Sequence, residues 1–297
     1  MTTGNQLRSS SPTFGDTFAG GSAFVEGEPN IAARPDRSMT PDHEPQLMGV
    51  SGAVIRLRDE LAMIRGTDAR VLISGERGTG KRVIAQLIHS ESRRAGQPFV
   101  TVSCGELDPE TQDDMLFGAP IPGADGGGAF LRANGGSVFM DEVGALSRHS
   151  QGLVFSLMET GEVRTRHSGP HGSTNVRVIT STTQPLYGRA AAGLFDEALF
   201  YRLNVVHLVL TPLRDRPADV PILVEYFLQQ RRNSSDRLCA VSPEAMSLLR
   251  GYTWPQNVHE LETVLNRMLM SVRHEVAEAD DLPRHIRVGS SHRSLNI

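Results

Sequence analysis

The chain after residue 46 alternates short apolar runs with longer amphipathic stretches. Four apolar residues repeat at helical spacing with charged residues between them, which predicts an amphipathic helix containing Val54, Leu57, Leu61 and Ile64. Five short apolar runs are separated by stretches long enough for crossover helices. These runs comprise residues 71–73, 99–102, 138–140, 176–179 and 205–210. The alternation predicts a mainly parallel sheet with helices on both faces.

The pattern after Pro221 indicates helices only. Residues 222–230 and 258–270 are amphipathic, and between them Ser242 is placed to cap a helix that has Pro243 at its first position. This segment predicts a smaller helical domain.

The N-terminal segment differs in composition from the rest of the chain. Residues 1–45 are dominated by Gly, Ser, Thr and Pro, which cannot bury enough apolar surface to offset the entropy of ordering. We therefore expect a disordered tail (1–45), an α/β domain (46–220), a helical lid domain (221–288) and a flexible tail (289–297).

Charge and cysteine content narrow the class of protein. The chain has 30 basic and 34 acidic residues and a net charge of −4, so it offers no general basic surface for nucleic acid. Cys104 and Cys239 form no CxxC pair, which fits a reducing compartment. No signal peptide and no apolar stretch of about 18 residues is apparent, so we expect a cytoplasmic protein without a membrane segment.

A glycine-rich loop joins the first predicted strand to the following helix. Its sequence is Gly75-Glu76-Arg77-Gly78-Thr79-Gly80-Lys81, followed by Arg82. The spacing fits a phosphate-binding loop, in which backbone N–H groups and the lysine bind nucleotide phosphates. The usual final residue, a Ser or Thr that ligates magnesium, is replaced by Arg82.

A second motif ends the third predicted strand with two adjacent carboxylates, Asp141 and Glu142. In phosphoryl transfer, the first would hold Mg²⁺ through water and the second would orient and deprotonate the attacking water. Together the two motifs predict ATP and Mg²⁺ as cofactors.

Further collinear motifs extend the pattern. They are Leu47-Met48-Gly49-x-Ser51, Asn175-Val176-Arg177-Val178-Ile179, Tyr201-Arg202-Leu203-Asn204-Val205, Pro212-Leu213-Arg214-Asp215-Arg216, Trp254-Pro255-x-Asn257-Val258-x-Glu260 and Asp281-Leu282-Pro283. With these motifs, residues 46–288 resemble the AAA+ domain of sigma-54-dependent transcription activators, the bacterial enhancer-binding proteins.

The resemblance implies a three-layer AAA+ sandwich with a helical lid and a role in transcription control. It also implies a ring of this chain or of related AAA+ subunits, commonly a hexamer, with ATP at the subunit interfaces. RNA polymerase or a sigma factor would be the partner. From the lengths of the two tails we expect no sensing domain and no DNA-binding domain within this chain.

The contact loop departs from the family pattern. Family members grip sigma-54 with Gly-Ala-Phe-Thr-Gly-Ala shortly after a Leu-Phe-Gly. Here Leu116-Phe117-Gly118 is followed by a short Pro/Gly-rich segment and then Ala129-Phe130, without a Phe-Thr pair. Because a Pro/Gly-rich turn offers no apolar anchor, we expect sigma-54 remodelling to be lost.

The catalytic residues implied by the resemblance also depart from it. Ser103 stands where the family has an Asn that switches the catalytic glutamate, and Thr183 replaces the sensor I Asn. Asp196 replaces the first of two arginines at the subunit boundary, although Arg202 remains as the second. His259 replaces the sensor II arginine. Arg82 is also unusual, because the family normally has Glu there.

Losing one arginine finger can cost roughly 10³ to 10⁵ in turnover. We therefore expect ATP binding with slow or absent hydrolysis. Three hypotheses stay open: an active ATPase that drives open-complex formation through an atypical loop, a non-hydrolysing subunit that joins or caps rings of intact relatives, and a decaying paralogue.

Overall fold

The computed structural model describes residues 45–118, 127–164, 170–231, 238 and 240–289. The predictions for residues 1–44, for residues 119–126 of the contact loop, for Cys239 and for residues 290–297 lie outside the described residues.

The described elements follow the predicted alternation up to residue 220, whereas the segment after Pro221, where we expected helices only, also contains two short paired strands. The helices are α1 (Gly52–Ile64), α2 (Lys81–Ser90), α3 (Pro109–Phe117), α4 (Ala129–Arg132), α5 (Arg148–Thr160), α6 (Leu186–Ala191), α7 (Glu197–Leu203), α8 (Val220–Arg231), α9 (Pro243–Gly251), α10 (Asn257–Ser271) and α11 (Arg284–Gly289). The strands are β1 (Val71–Gly75), β2 (Phe99–Ser103), β3 (Ser137–Asp141), β4 (Glu162–Arg164), β5 (Pro170–Ser173), β6 (Arg177–Thr182), β7 (Val206–Leu210), β8 (Ala240–Val241) and β9 (Val276–Ala277).

The central sheet has five strands in the order β2-β3-β6-β1-β7, and all of its pairs are parallel. In this register Val71 lies between Ile179 and Val206, while Ser103 lies beside Asp141. The sheet confirms the prediction of a parallel α/β core. Because parallel strands share one direction, the residues that end β1, β3 and β6 meet at the same edge.

The first helix forms because its start is capped and its apolar stripe is continuous. The Ser51 hydroxyl accepts a hydrogen bond from the Val54 N–H at 3.3 Å. The four apolar residues predicted to share one face of α1 are all buried.

Alternate residues of the strands face opposite sides of the sheet. Phe139 and Ile179 pack with apolar residues of α1 and α2. Val138, Met140 and Val178 face the other way and pack with apolar residues of α3, α4, α5, α6 and α7. The helices therefore cover both faces, which gives three layers.

The lid has its own apolar cluster, formed mainly by α8, α9 and α10 around the fully buried Trp254. The Ser242 hydroxyl caps α9 by accepting from the Ala245 N–H at 3.3 Å, and Pro243 is the first helical residue. Leu213 and Val220 belong to this cluster, so the packing of the lid begins before residue 221. Among the described residues, no helix combines the length and apolar character required to span a membrane.

Candidate nucleotide-binding site

The predicted phosphate loop connects the end of β1 at Gly75 to the start of α2 at Lys81. Gly78 has φ +76° and Gly80 has φ +103°, both in the left-handed region that favours glycine. A Cβ at Gly78 would lie 2.0 Å from the Gln256 carbonyl oxygen, so this position admits no side chain. The loop is therefore shaped by its glycines and by close contact with the lid.

The inner side of the loop fits an anionic phosphate chain. A Cβ placed on Gly80 would meet no atom within 4 Å, so the space beside this residue is open. Within the described residues, the N–H groups of Gly78, Gly80 and Lys81 donate to no backbone acceptor. These donors lie at the N-terminus of α2, where the helix dipole also favours an anion.

Lys81 is buried at the base of the loop, with only 8% of its surface exposed. Its Nζ donates to the carbonyl oxygens of Gly75 at 3.0 Å and Glu76 at 3.3 Å. The same atom forms an ion pair with Glu142 Oε1 at 3.3 Å. Lys81 therefore joins the phosphate loop to the acidic end of β3.

Asp141 ends β3, and Glu142 follows it with a left-handed φ of +56°. Ser181 of β6 orients both residues, since its hydroxyl donates to the Asp141 carboxylate and its Oγ accepts from the Glu142 N–H at 3.1 Å. The sequence analysis did not identify Ser181. Its position two residues before Thr183, on the strand beside β3, was the available signal.

Thr183 holds the Glu142 side chain from the opposite side to Lys81. The Thr183 N–H and hydroxyl both donate to Glu142 Oε2 at 2.9 Å. Ser103 differs from the expectation, because within the described residues its hydroxyl makes no hydrogen bond to Glu142. The serine side chain is shorter than the asparagine of the family, and Lys81 and Thr183 already bind this carboxylate.

The Asp141 carboxylate is suited to an outer magnesium shell. Mg²⁺ in nucleotide sites keeps several waters and binds through one or two carboxylates and the phosphates. Among the described residues, no group of three or more His, Cys, Asp or Glu residues forms a separate metal site.

The start of lid helix α10 packs directly on the phosphate loop. The His259 N–H donates to the Gly78 carbonyl at 3.2 Å. Asn257, with a left-handed φ of +54°, donates from its amide to the Arg77 carbonyl at 2.9 Å and accepts from the Leu213 N–H at 2.8 Å. Sequence reasoning missed this role of Asn257, although the Trp-Pro-x-Asn motif contained it.

The Glu76 side chain turns away from the phosphate space toward the lid. Its carboxylate accepts from both terminal nitrogens of Arg214, at 2.7 and 2.5 Å, and from the Asn257 amide at 3.2 Å. Hydrogen bonds from Arg214 and then from Asn257 lower the pKa of Glu76 to about 2. Glu76 was predicted to bind nucleotide, but its side chain contacts the lid instead and only its backbone lines the loop.

Thr79 also uses its polar atoms within the protein. Its hydroxyl donates to the Glu76 carbonyl at 2.8 Å, and its carbonyl accepts from Arg216 at 3.4 Å. Burial lowers the pKa of Arg216, although the Asp219 carboxylate raises it. Arg82, the second residue of α2, is partly buried with an inaccessible Nε.

Arg202 lies far from the phosphate loop of its own chain. It pairs with Glu159 and lies 6.0 Å from the centre of the Phe155 ring. Burial lowers the pKa of Arg70, and the neighbouring Arg202 guanidinium lowers it further. Arg70 precedes β1, whereas the phosphate loop starts at Gly75, where the same strand ends.

Asp196 is the N-cap of α7. Its carboxylate accepts from the Leu199 N–H at 2.7 Å, and its own N–H donates to Gln151 at 2.8 Å. We expected this carboxylate to face a neighbouring subunit. In the structure it is engaged with its own helix, because an aspartate directly before a helix can bind the free N–H groups of the first turn.

Comparison with known families gives two matches along the chain. Residues 47–209 match the Sigma-54 interaction domain family, and residues 214–296 match the AAA+ ATPase lid domain family.

Curated bacterial relatives cover most of the chain. It is 37% identical over 243 residues to the regulatory protein AtoC of Escherichia coli, a match that covers 80% of this chain and 53% of AtoC. It is 39% identical over 229 residues to the sigma-54-dependent transcriptional regulator SfnR of Pseudomonas fluorescens, covering 75% of this chain and 62% of SfnR. The chain thus spans about half to three fifths of the length of these relatives.

Solved structures confirm the fold. NtrX from Brucella abortus in complex with ADP superposes with a TM-score of 0.76 at 32% identity, covering 82% of this chain and 56% of NtrX. The complex of the same protein with ATP has a TM-score of 0.75 at 33% identity, covering 81% and 55%. A RuvB mutant from Thermotoga maritima has a TM-score of 0.54 at 15% identity, covering 86% of this chain and 73% of RuvB. This similarity shows a shared fold alone.

Proposed function

We propose a function for this chain from one premise: it belongs to the Sigma-54 interaction domain family of AAA+ transcription regulators. The proposed function is that of an ATP-binding regulator that hydrolyses ATP slowly and does not remodel sigma-54. The observation that carries the ATP-binding part is the meeting of Lys81, Glu142 and Thr183 at one edge of the sheet, beside an open glycine loop. The ATP and ADP complexes of NtrX support the same ligand class.

Each residue of the site has a role in this proposal. The N–H groups of the loop and Lys81 would bind the phosphates, with a helix N-terminus behind them. Asp141 would hold the waters of Mg²⁺, which supplies positive charge to the phosphate chain. Glu142 would accept the proton of the attacking water, and Thr183 would fix the orientation of its carboxylate.

In a AAA+ site, some groups come from the lid and some from a neighbouring subunit. The residues that this chain has at those positions support slow hydrolysis. Asp196 caps its own helix where the family has an arginine. Arg202 is the remaining candidate finger, and in this chain it pairs with Glu159. His259 cannot provide the bidentate contact of a guanidinium. The site is therefore better equipped to bind ATP than to stabilise its transition state.

Loss of sigma-54 remodelling is supported at the contact loop. Gly118 and Gly127 form an isolated antiparallel bridge, so the two ends of the loop are joined. Between them the sequence from Ala119 to Gly126 contains no aromatic residue. An aromatic anchor of the kind that presses into a partner protein is therefore missing from this segment of the sequence.

The proposed setting is the cytoplasm, where the chain would assemble with copies of itself or with related AAA+ subunits. Two further candidate functions have support. The intact Lys81, Glu142 and Thr183 contacts favour an active ATPase that drives sigma-54 RNA polymerase. The capping role of Asp196 favours a non-hydrolysing subunit within rings of intact relatives.

Phosphate release from Mg-ATP, measured over a range of protein concentrations, tests the proposal. Lys81→Ala serves as the blank, and ATP binding is measured in parallel. We expect ATP binding together with turnover close to that of the blank. Turnover that rises steeply with concentration would contradict slow hydrolysis and support the active ATPase. Open-complex formation by sigma-54 polymerase in the presence of the chain would contradict the loss of remodelling.

A further inference from the structure

The two adjacent carboxylates at the end of β3 differ in their partners. Glu142 pairs with Lys81 and also accepts from Thr183. Among the described residues, no lysine, arginine or histidine forms an ion pair with Asp141, and the one hydrogen bond to its carboxylate comes from the Ser181 hydroxyl, which donates to Oδ1. In that part of the chain the Asp141 carboxylate therefore has no cation partner, and its second oxygen accepts no hydrogen bond.

Ser181 is fully buried and is held by contacts on two sides. Its Oγ accepts from the Glu142 N–H at 3.1 Å, and its hydroxyl proton is donated to Asp141. The parallel register of β3 and β6 pairs Met140 with Thr180, so Asp141 and Ser181 follow side by side at the ends of these strands. Because the backbone of Glu142 holds the hydroxyl in place, the hydroxyl restricts the rotation of the Asp141 carboxylate.

The negative charge of Asp141 affects the groups around it. The pKa of the Cys104 thiol is raised to about 12, first by burial and then by the Asp141 carboxylate. An ionised carboxylate without a partner favours a cation nearby. Carboxylates are among the groups that hold Mg²⁺ and its waters in nucleotide sites, and hydrogen bonds to such carboxylates tune the affinity for the metal. The contact between Ser181 and Asp141 is suited to this supporting role.

We propose that Ser181 positions the Asp141 carboxylate for the water shell of Mg²⁺, and thereby sets how strongly the metal tightens ATP binding by this chain. The inference rests on the proposed ATP binding and deepens it by naming a residue on which the metal dependence of that binding relies. Ser181 is a positioning residue, because its hydroxyl acts through Asp141. Thr183 donates to Glu142 instead, so the two hydroxyls serve different carboxylates.

Calorimetric titration of the full chain with ATP, in Mg²⁺ and in EDTA, tests the proposal. The ratio of the two Kd values measures the coupling between metal and nucleotide. We expect the native chain to bind ATP at least about tenfold more tightly in Mg²⁺. Ser181→Ala should reduce this ratio at least about threefold while the Kd in EDTA stays unchanged, a smaller loss than for a direct metal ligand because Asp141 acts through water. Ser181→Thr keeps the hydroxyl and should retain the native ratio.

A double-mutant cycle tests whether Ser181 acts through Asp141. In Asp141→Asn, which has already lost the negative charge, adding Ser181→Ala should not reduce the ratio of Kd values further. A further reduction in this background would overturn the proposed route through Asp141.

Ser137→Ala is the matched control, because Ser137 is also fully buried but lies at the other end of β3, where its hydroxyl contacts His89. This variant should leave the ratio unchanged. A native ratio in Ser181→Ala, or equal weakening in Mg²⁺ and in EDTA, would overturn the role of Ser181. Equal Kd values of the native chain under both conditions would overturn the inference while the proposed ATP binding stands. Absence of ATP binding under both conditions would overturn the proposed function itself.

Discussion

Two sets of charged residues differ in what they contact: the set around Glu142 and the set on helix α7. At the carboxyl end of the sheet, the Glu142 carboxylate binds both Lys81, at 3.3 Å, and Thr183, at 2.9 Å. On α7, Asp196 caps the start of the helix and Arg202 pairs with Glu159. The first set joins the phosphate loop to the end of β3, whereas the second set contacts residues of α5 and of α7 itself.

In the proposed function, these two sets of residues have different roles. Nucleotide binding needs groups from a single chain, and those groups are assembled here. Under the proposal, efficient hydrolysis in a AAA+ ring also needs cations from the next subunit, and Asp196 stands where the resemblance implies one of two arginines. Substitutions in each of the two sets of residues test this difference.

The largest effect is expected when the missing arginine is restored. In Asp196→Arg, a cation returns to the position that the family uses at the subunit boundary. A complete finger contributes roughly 10³ to 10⁵ to turnover. Because His259 is unchanged, we expect a smaller gain, at least about tenfold in phosphate release from Mg-ATP.

Asp196→Asn provides the matched control for this gain. Asparagine keeps the capping hydrogen bond and removes the negative charge without adding a cation. If Asp196→Arg released phosphate no faster than Asp196→Asn, the missing arginine would not be what limits hydrolysis.

A moderate effect on the stability of the fold is expected when the capping group of Asp196 is removed. Asp196→Ala removes the acceptor of the Leu199 N–H and should lower the free energy of unfolding by about 1 kcal/mol. Urea denaturation of this variant beside Asp196→Asn, which should remain close to the native chain, measures the difference. Equal stability of the alanine and asparagine variants would show that the carboxylate does not act as the cap.

The smallest effect is expected on the nucleotide side, at the pair that joins Glu76 to Arg214. The folded pKa of Glu76 is about 2, below its ordinary value of 4.5. A lowered carboxyl pKa contributes stability above pH 4.5, and this contribution is lost as the pH falls toward 2. Both side chains are well exposed, so the contribution is small.

Calorimetric Tm values at about pH 5 and about pH 3 test this dependence. Between these values the native chain should lose more Tm than Glu76→Gln, which has no carboxyl group to titrate. Glu275→Gln, at an exposed position in the lid, should lose as much as the native chain. An equal loss in Glu76→Gln and the native chain would argue against the proposed linkage.

The sequence predicted the sheet because its central strands are short apolar runs buried on both faces. The residues from Val71 to Ile73 and from Val138 to Met140 are all buried, so continuous hydrophobicity identifies them. The phosphate loop was equally easy to predict from the sequence, because its glycines and lysine have a fixed spacing. These features depend on local pattern, which a single sequence contains.

The side-chain partners were less predictable. Glu76 lies 138 residues from Arg214 and 181 from Asn257, so the contact exists only after the lid has packed on the loop. The cap formed by Asp196 was a local signal, but the resemblance drew attention to the charge of this residue instead. Ser103 occupies the expected strand end, yet the Glu142 carboxylate binds Lys81 and Thr183.

The central claim is that the phosphate loop of this chain binds ATP. Equilibrium titration of the native chain and of Lys81→Ala with ATP tests it most directly, with Arg93→Ala as a control for the loss of a positive charge elsewhere. We predict saturable binding by the native chain and the control, and affinity at least about tenfold weaker in Lys81→Ala, because a charge-assisted contact to phosphate is lost. No binding by the native chain, or equal binding by Lys81→Ala, would contradict the claim.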